Sequence, residues 1–392
     1  MDEDDDSLRK LGEKQPNLPQ RQSVEDSAKA AGIIDACESN DVAALQKLAQ
    51  TPGGFLSDGL RRKTWPLLLG LQPVSQSEKT TSWEKLPRHR DEEQVQLDVN
   101  RAFIFYPHDL TEEDMTQRKH ELYDLIVEVL RRYPFLCYFQ GFHDICQVFL
   151  LVLGRQLSAQ SVARLSVLRI RDFMLPTLGP TTAQLRLLPD VLGKADPELR
   201  RHVASIEPFY ALAGTLTMYA HNIEAYHDIA RLFDVLLARE PVFSIYMFAQ
   251  IVMDRREEIF EIDEPDLLQV VLARVPPKMN MDELVQRSDN LYKKYSPETL
   301  RSWRRISPSS ALKTARQIDR CDEQSLEQGE LYFKTQSKEL QWLELREKAK
   351  MALWIYRRPI RIASMAIAVG ILAVYLRRNP GIVNSFVAVF SR

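Results

Sequence analysis

Apolar side chains recur at spacings of three and four through most of residues 55–300, as expected when each helix buries one stripe. In "ELYDLIVEVLRRYP" the residues Leu122, Leu125, Ile126, Val129 and Leu130 share a face, and Pro134 marks the end because helical backbone is disfavoured before proline. "AYHDIARLFDVLLARE" repeats the pattern with Ile229, Leu232, Phe233, Leu236 and Leu237. Two shorter helical patterns precede the array, in "EDSAKAAGIIDACES" and "NDVAALQKLAQ", with Asn40 or Asp41 as N-cap of the second. "TPGG" at 51–54 breaks the chain between them and the array. Alternating strand patterns with hairpin dipeptides are nearly absent. The pattern predicts an all-α fold.

The divisions follow from the same reading. Residues 1–25 are polar and acidic and read as a disordered lead-in, 26–53 as short helices, and 54–300 as the main helical domain. Residues 301–358 are charge-rich, with Pro308, Ser309 and Ser310 interrupting any helix, and read as a mobile linker with helical pieces. Its end, 341–358, suits a juxtamembrane helix.

The next segment differs in kind. Residues 362–376 are all apolar or small, flanked by Arg357, Arg358 and Arg361 on one side and Arg377 and Arg378 on the other. Arginines there can snorkel, and Trp354, Tyr356 and Tyr375 suit a membrane interface. The run is at the short end of the roughly 17–25 residues that span a bilayer. We therefore expect a transmembrane anchor at 359–378, with the domain cytosolic, and a short hydrophobic tail at 379–392. A hydrophobic helix packed back on the domain is the alternative. Its short length suits the thin endoplasmic reticulum membrane, while basic flanks on both sides also fit the mitochondrial outer membrane. Ala366-x-x-x-Gly370 has the spacing of a helix-pairing motif.

Composition changes this picture little. The 392 residues are 45% hydrophobic and 27% charged, with only 14 glycines, which favours helices over a turn-rich fold. A net charge of −2 argues against a nucleic-acid partner. The acidic first residues do not resemble a signal peptide. Cys37, Cys137, Cys146 and Cys321 lack metal or disulfide spacing and read as free thiols.

The chain carries no Walker loop, no Gly-x-Gly-x-x-Gly turn, no His-Glu-x-x-His and no Gly-x-Ser-x-Gly elbow. The adjacent pairs His143–Asp144 and His227–Asp228 point about 100° apart on a helix, so no metal site is expected. Any chemistry therefore acts on a group that another molecule holds.

Two stretches stand out. In "EEQVQLDVNRAFIFYP", Asp98 and Arg101 lie three apart on one helix face, with Val95, Leu97 and Val99 available to hold the element against the core. Such a pair is ordinarily a surface ion pair contributing only ~0.3–0.5 kcal/mol. Beside a partner, the carboxylate can instead aim the guanidinium fork at phosphate oxygens. In "YFQGFHDI", Gln140 sits among large apolar residues, where an unpartnered buried amide costs about 1–3 kcal/mol. It is either satisfied internally or held out for a partner.

Val95-x-x-Asp98-x-x-Arg101 and Tyr138-x-Gln140-Gly141 resemble, in order and separation, the two signature motifs of TBC domains, the Rab GTPase-activating proteins. Arg61-x-x-x-Trp65 is similar to the family's opening motif, and 231–260 to its later helices. The resemblance implies a multi-helix TBC domain over about 54–300. Its partner would be a GTP-bound Rab, which brings its own GTP and magnesium, so the chain needs no cofactor. It implies that Arg101 is an arginine finger on the transferring phosphoryl group and that Gln140 orients the attacking water. Asp98 would orient Arg101, and Gly141 would let backbone come close beside Gln140. Tyr138 and Asp144 would support the loop, and Arg61 and Trp65 would serve packing. His143 receives no role beyond a local hydrogen bond. A membrane-anchored branch of the family implies a Rab of the endoplasmic reticulum–Golgi step (the Rab-one class), a role in vesicle traffic, and an endoplasmic reticulum location. A non-catalytic, membrane-anchored Rab-binding scaffold is the alternative, though a scaffold needs neither Arg101 nor Gln140. Gly214 stands where the family often has tryptophan, so local repacking is expected there.

Overall fold

The computed structural model describes residues 20–71, 82–107, 111–355 and 357–379. Among these residues all regular structure is helical, with no strand. Residues 1–19 of the expected lead-in, residues 380–392 of the expected tail, and Tyr356 lie outside the described residues. The chain divides into two units, at Gln336 and Ser337.

The first unit is built around the helix Phe142–Arg164, whose run "ICQVFLLVL" is apolar nearly all round. A helix of that kind must be covered on every side, and Ile145, Val148, Phe149 and Val152 are fully buried. Among the described residues, the stretch Phe142–Arg169 is long and apolar enough to cross a membrane, but most of it is buried in this domain, so it is a core helix. Gly154, at φ +73°, breaks its regular path, and the Ser158 hydroxyl donates to the freed carbonyls of Phe149 (3.0 Å) and Gly154 (2.6 Å).

Helices Glu112–Arg132 and Asp58–Leu68 pack on this centre. The first opens with a capping box between Thr111 and Asp114 and turns its face Leu122, Leu125, Ile126, Val129 and Leu130 fully inward. Further out, Tyr226–Ala238 packs on Val42–Gln50, whose N-cap Asp41 accepts the Ala44 N–H at 2.8 Å. Phe243–Asp254 pairs with Met281–Lys294.

Two expectations need correction. In the helix Glu92–Asn100, Val95 and Val99 are buried, but Leu97 is 62% exposed. Residues four apart share a helix face, whereas one two positions along lies nearly opposite. The second concerns residues 301–336, which belong to the first unit instead of forming a mobile linker. Trp303, Ile306, Leu312, Ile318, Cys321 and Phe333 are buried there. Pro308, Ser309 and Ser310 do interrupt the helix, yet the polar groups they free are met by buried side chains. Arg171 donates to the Ser309 carbonyl and the Thr314 hydroxyl. Asp172 accepts from the Ser310 hydroxyl, the Ala311 N–H (3.0 Å) and Gln336 Nε2 (3.0 Å).

The second unit holds the remainder of the helix Leu326–Ile355 and the helix Arg357–Arg378. In the latter Met365, Ile367, Val369, Ile371, Leu372 and Tyr375 are each more than half exposed.

Candidate functional site

The site assembles at the N-terminal end of the central helix. The helix Glu92–Asn100 is capped by Arg101, where the backbone leaves helical geometry (φ −105°, ψ 13°). One turn earlier Asp98 is fully buried. A buried carboxylate needs partners, and this one has three. Its Oδ1 accepts from Arg101 Nη2 (2.5 Å) and Gln94 Nε2 (3.1 Å), and its Oδ2 accepts from the Tyr138 hydroxyl (2.9 Å). The Arg101 side chain is 54% exposed. Its Nε and Nη1 have no partner among the described residues, so one edge is aimed and the other left open.

Tyr138 lies in the segment between Glu112–Arg132 and the central helix. Its N–H donates to Asp91 Oδ2 at 2.9 Å, which ties this loop to the start of the Asp98 helix. Burial, reinforced by the Asp98 carboxylate, holds its phenol well above the usual tyrosine range, so it remains a proton donor. Two residues on, Gln140 is exposed, and its amide makes no hydrogen bond among the described residues. The desolvation cost considered for a buried amide does not arise.

Gly141 is the N-cap of the central helix at φ +102°. A Cβ there would lie 2.6 Å from Thr217 Cγ2, so both backbone and neighbour require glycine. Asp144, in the first turn, sits between two imidazoles, with Oδ2 3.0 Å from His221 Nδ1 and Oδ1 3.3 Å from His143 Nε2. The His143 ring is buried, and its Nδ1 is 3.3 Å from the Tyr138 hydroxyl. Thus Asp98, Arg101, Tyr138 and Asp144 belong to one connected cluster, with Gln140 and Gly141 on its loop.

Arg61 and Trp65 are not part of it. Both bind Asp234, which is fully buried, and the Trp65 ring packs in turn on those of Phe149 and Phe233. Arg61 Nε and Nη2 reach it at 3.0 Å, Trp65 Nε1 at 2.8 Å and the Phe55 N–H at 3.0 Å.

Several structural neighbours of these residues lie outside the sequence motifs. Asp234 was visible as a lone acid inside the apolar face "RLFDVLL". Gln147 was visible as a glutamine in the middle of the core run. Its Oε1 accepts the Phe103 N–H (2.9 Å) and its Nε2 donates to the Tyr106 carbonyl (3.3 Å), which fixes the chain leaving Arg101. Thr217 and His221 are remote in sequence and gave no signal. Leu97 and Ile104, to either side of Arg101 in sequence, are largely exposed apolar side chains.

A family model, the Rab-GTPase-TBC domain, matches residues 58–260. The chain belongs to this family. All eight residues singled out above as site or supporting residues lie inside the matched segment of the TBC domain. The chain is 36% identical to TBC1 domain family member 20 of Bos taurus over 279 residues, covering 69% of this chain and 68% of that protein. The Homo sapiens protein of that name is 35% identical with the same coverage. GTPase-activating protein gyp10 of Schizosaccharomyces pombe is 32% identical over 310 residues, covering 77% of this chain and 82% of that one. Among solved structures, the Chlamydomonas flagellar RabGAP TBC domain superposes with a TM-score of 0.51 at 14% identity, over 71% of this chain and 97% of that one. The Ypt/Rab-GAP domain of Gyp1p gives 0.52 at 14% identity, over 67% and 99%. At that identity the structures speak for the TBC fold alone. At Gly214, where the resemblance leads one to expect tryptophan, this TBC domain places the rings of Phe248 and Tyr219 within 3.1 and 3.4 Å of a Cβ position.

Proposed function

We propose that the protein is a Rab GTPase-activating protein that lends Arg101 and Gln140 to the active site of its partner. The observation that carries this reading is the asymmetry of the Arg101 environment. One guanidinium N–H is held by a fully buried carboxylate, and the same carboxylate is held by the loop that presents an unbonded Gln140. The open donors of Arg101 and the free amide of Gln140 both face solvent, where a docked partner could meet them. The Rab carries GTP and magnesium, so nothing in the chain need bind nucleotide. Arg101 would neutralise charge developing on the transferring phosphoryl group, and Gln140 would orient the water that attacks it. An arginine supplied in trans is worth roughly 10³–10⁵ in rate, about 4–7 kcal/mol. Leu97 and Ile104 would meet apolar surface on the Rab.

The substrate proposed is a Rab of the endoplasmic reticulum–Golgi step, of the Rab-one class, on the resemblance to the membrane-anchored branch of the family. The helix Arg357–Arg378 would be the anchor and hold the domain at the endoplasmic reticulum membrane, in support of vesicle traffic. Its exposed apolar side chains and its terminal Arg377 and Arg378 favour this. Purified protein should accelerate phosphate release from at least one Rab in a GTP-loaded panel, and no acceleration of any Rab would contradict the proposal. Removal of residues 357–392 should move the protein from the membrane to the soluble fraction. Retention on membranes would overturn the anchor.

A further inference from the structure

No local signal ends the helix Glu92–Asn100 at the proposed finger. Helices commonly stop on a left-handed glycine, but the residue that turns the chain here is Phe103, buried and at φ +63°. We propose that Gln147 is a positioning residue for Arg101, which ends that helix at the arginine and ties it to the same element that presents Gln140. The inference rests on the finger reading above.

The backbone hydrogen bonds show how the stop is made. In an α-helix continued past Arg101, the Phe103 N–H would donate to the Val99 carbonyl, four residues back. Instead Val99 accepts the Ala102 N–H at 3.0 Å, and the Phe103 N–H donates to Gln147 Oε1 at 2.9 Å. The other end of the same amide, Nε2, donates to the Tyr106 carbonyl at 3.3 Å, so one side chain closes the turn from 103 to 106. From the outer side, Lys119 Nζ meets the Asn100 carbonyl at 2.6 Å. Arg101 therefore sits where the helix is stopped by distant residues. Asp98 aims its guanidinium, and Gln147 sets where its backbone stands.

Gln147 suits this task because of where it is mounted. It is 4% exposed, on the second turn of the central helix Phe142–Arg164. A buried amide must be satisfied, and both ends of this one are spent on the turn behind Arg101. Gly141 caps the same helix, with Gln140 immediately before it. The two residues lent to the Rab are thus referred to one rigid element, Gln140 through Gly141 and Arg101 through Gln147. A loosened turn would let the helix end fray and move the guanidinium relative to Gln140, and small misplacements of catalytic groups are expensive in rate.

The test is single-turnover GTP hydrolysis, with the full chain titrated against a GTP-loaded Rab that wild type accelerates and rates normalised to folded protein. Gln147→Met has similar length with neither the amide donor nor its oxygen acceptor. It should lower the maximal rate about tenfold and leave the half-saturating concentration within about twofold, the mark of a lost transition-state contact. Gln147→Glu keeps an acceptor for the Phe103 N–H and should recover at least about threefold of that loss. A wild-type maximal rate in Gln147→Met, a loss confined to the half-saturating concentration, or a Gln147→Glu no better than Gln147→Met would overturn the proposal. If neither variant folds, hydrogen exchange on the wild-type chain is the readout. Residues 102–106 should exchange at least about a hundredfold more slowly than unstructured peptide, and exchange at an open-loop rate overturns the proposal. A wild-type chain inactive on every Rab removes the finger reading itself, a result separate from the exchange measurement.

Discussion

Two arginine–aspartate pairs in this TBC domain have the same chemistry and opposite surroundings. Arg61 engages Asp234 through Nε and Nη2 and Asp58 through Nη1, so its fork is fully occupied. Asp234 has further donors in Trp65 and the Phe55 N–H, and nothing in this pair is left for a ligand. Arg101 engages Asp98 through a single nitrogen and leaves half its side chain in solvent. In both pairs the aspartate is fully buried. The difference lies in the arginine. A buried carboxylate can hold an arginine as a keystone or aim it as a tool, and the number of donors left over distinguishes the two.

The sharpest way to break this comparison is to remove the arginines one at a time. Arg101→Ala should reduce GTPase activation by roughly 10³–10⁵ while costing about 1–3 kcal/mol of stability, because the buried Asp98 keeps Gln94 and Tyr138 as donors but loses its cation. Arg101→Lys should lose most of the activation too, since an ammonium cannot reproduce the planar fork. Asp234→Ala should do the reverse. It leaves the buried Arg61 with Asp58 alone and takes the acceptor from Trp65 Nε1 and the Phe55 N–H, at a cost of about 3–5 kcal/mol, and should lower the midpoint of denaturant unfolding strongly. Its effect on activity should follow the fraction folded.

Gly141 offers a smaller test of how the Gln140 loop is held. Gly141→Ala meets Thr217 Cγ2 and places a side chain at φ +102°, and should cost about 1–3 kcal/mol with lost activation. Thr217→Ser, by removing that methyl, should recover part of the stability in the double variant and leave the backbone share, about 1 kcal/mol. Full additivity of the two substitutions would argue against the contact. The smallest effects belong to the helix that carries Arg101. Val95→Ala should destabilise by about 1–3 kcal/mol, whereas Leu97→Ser should stay within about 0.5 kcal/mol and instead weaken Rab binding.

Leu97 lies on a helix too short for its pattern to fix which side faces inward. Every residue that helical periodicity assigns to the core in Glu112–Arg132 and Tyr226–Ala238 is buried, but in the second helix residues 229–238 are buried on all sides, so the stripe understates its burial. A nine-residue helix at Glu92–Asn100 offers too few turns to set its phase from pattern alone. Residues 301–336 were illegible for another reason. Their partners, Arg171 and Asp172, are remote in sequence, and short apolar insertions between charges resemble a solvated linker until those partners are seen. The proposed fingers, Arg101 and Gln140, stand out in the sequence only through resemblance to a family motif. What made them chemically plausible, namely the shared carboxylate of Asp98, the left-handed Gly141 and the imidazole junction behind them, required coordinates.

The central claim is that Arg101 and Gln140 are held out for use inside another protein's active site. Its most direct test is single-turnover GTP hydrolysis across a Rab panel with wild type, Arg101→Ala and Gln140→Ala, alongside their melting curves. The account predicts acceleration of at least one Rab by wild type, loss of roughly two or more orders of magnitude in each variant, and both variants still folded at the assay temperature. Variants that keep the activity of wild type, or that lose it only in step with lost folding, would contradict it.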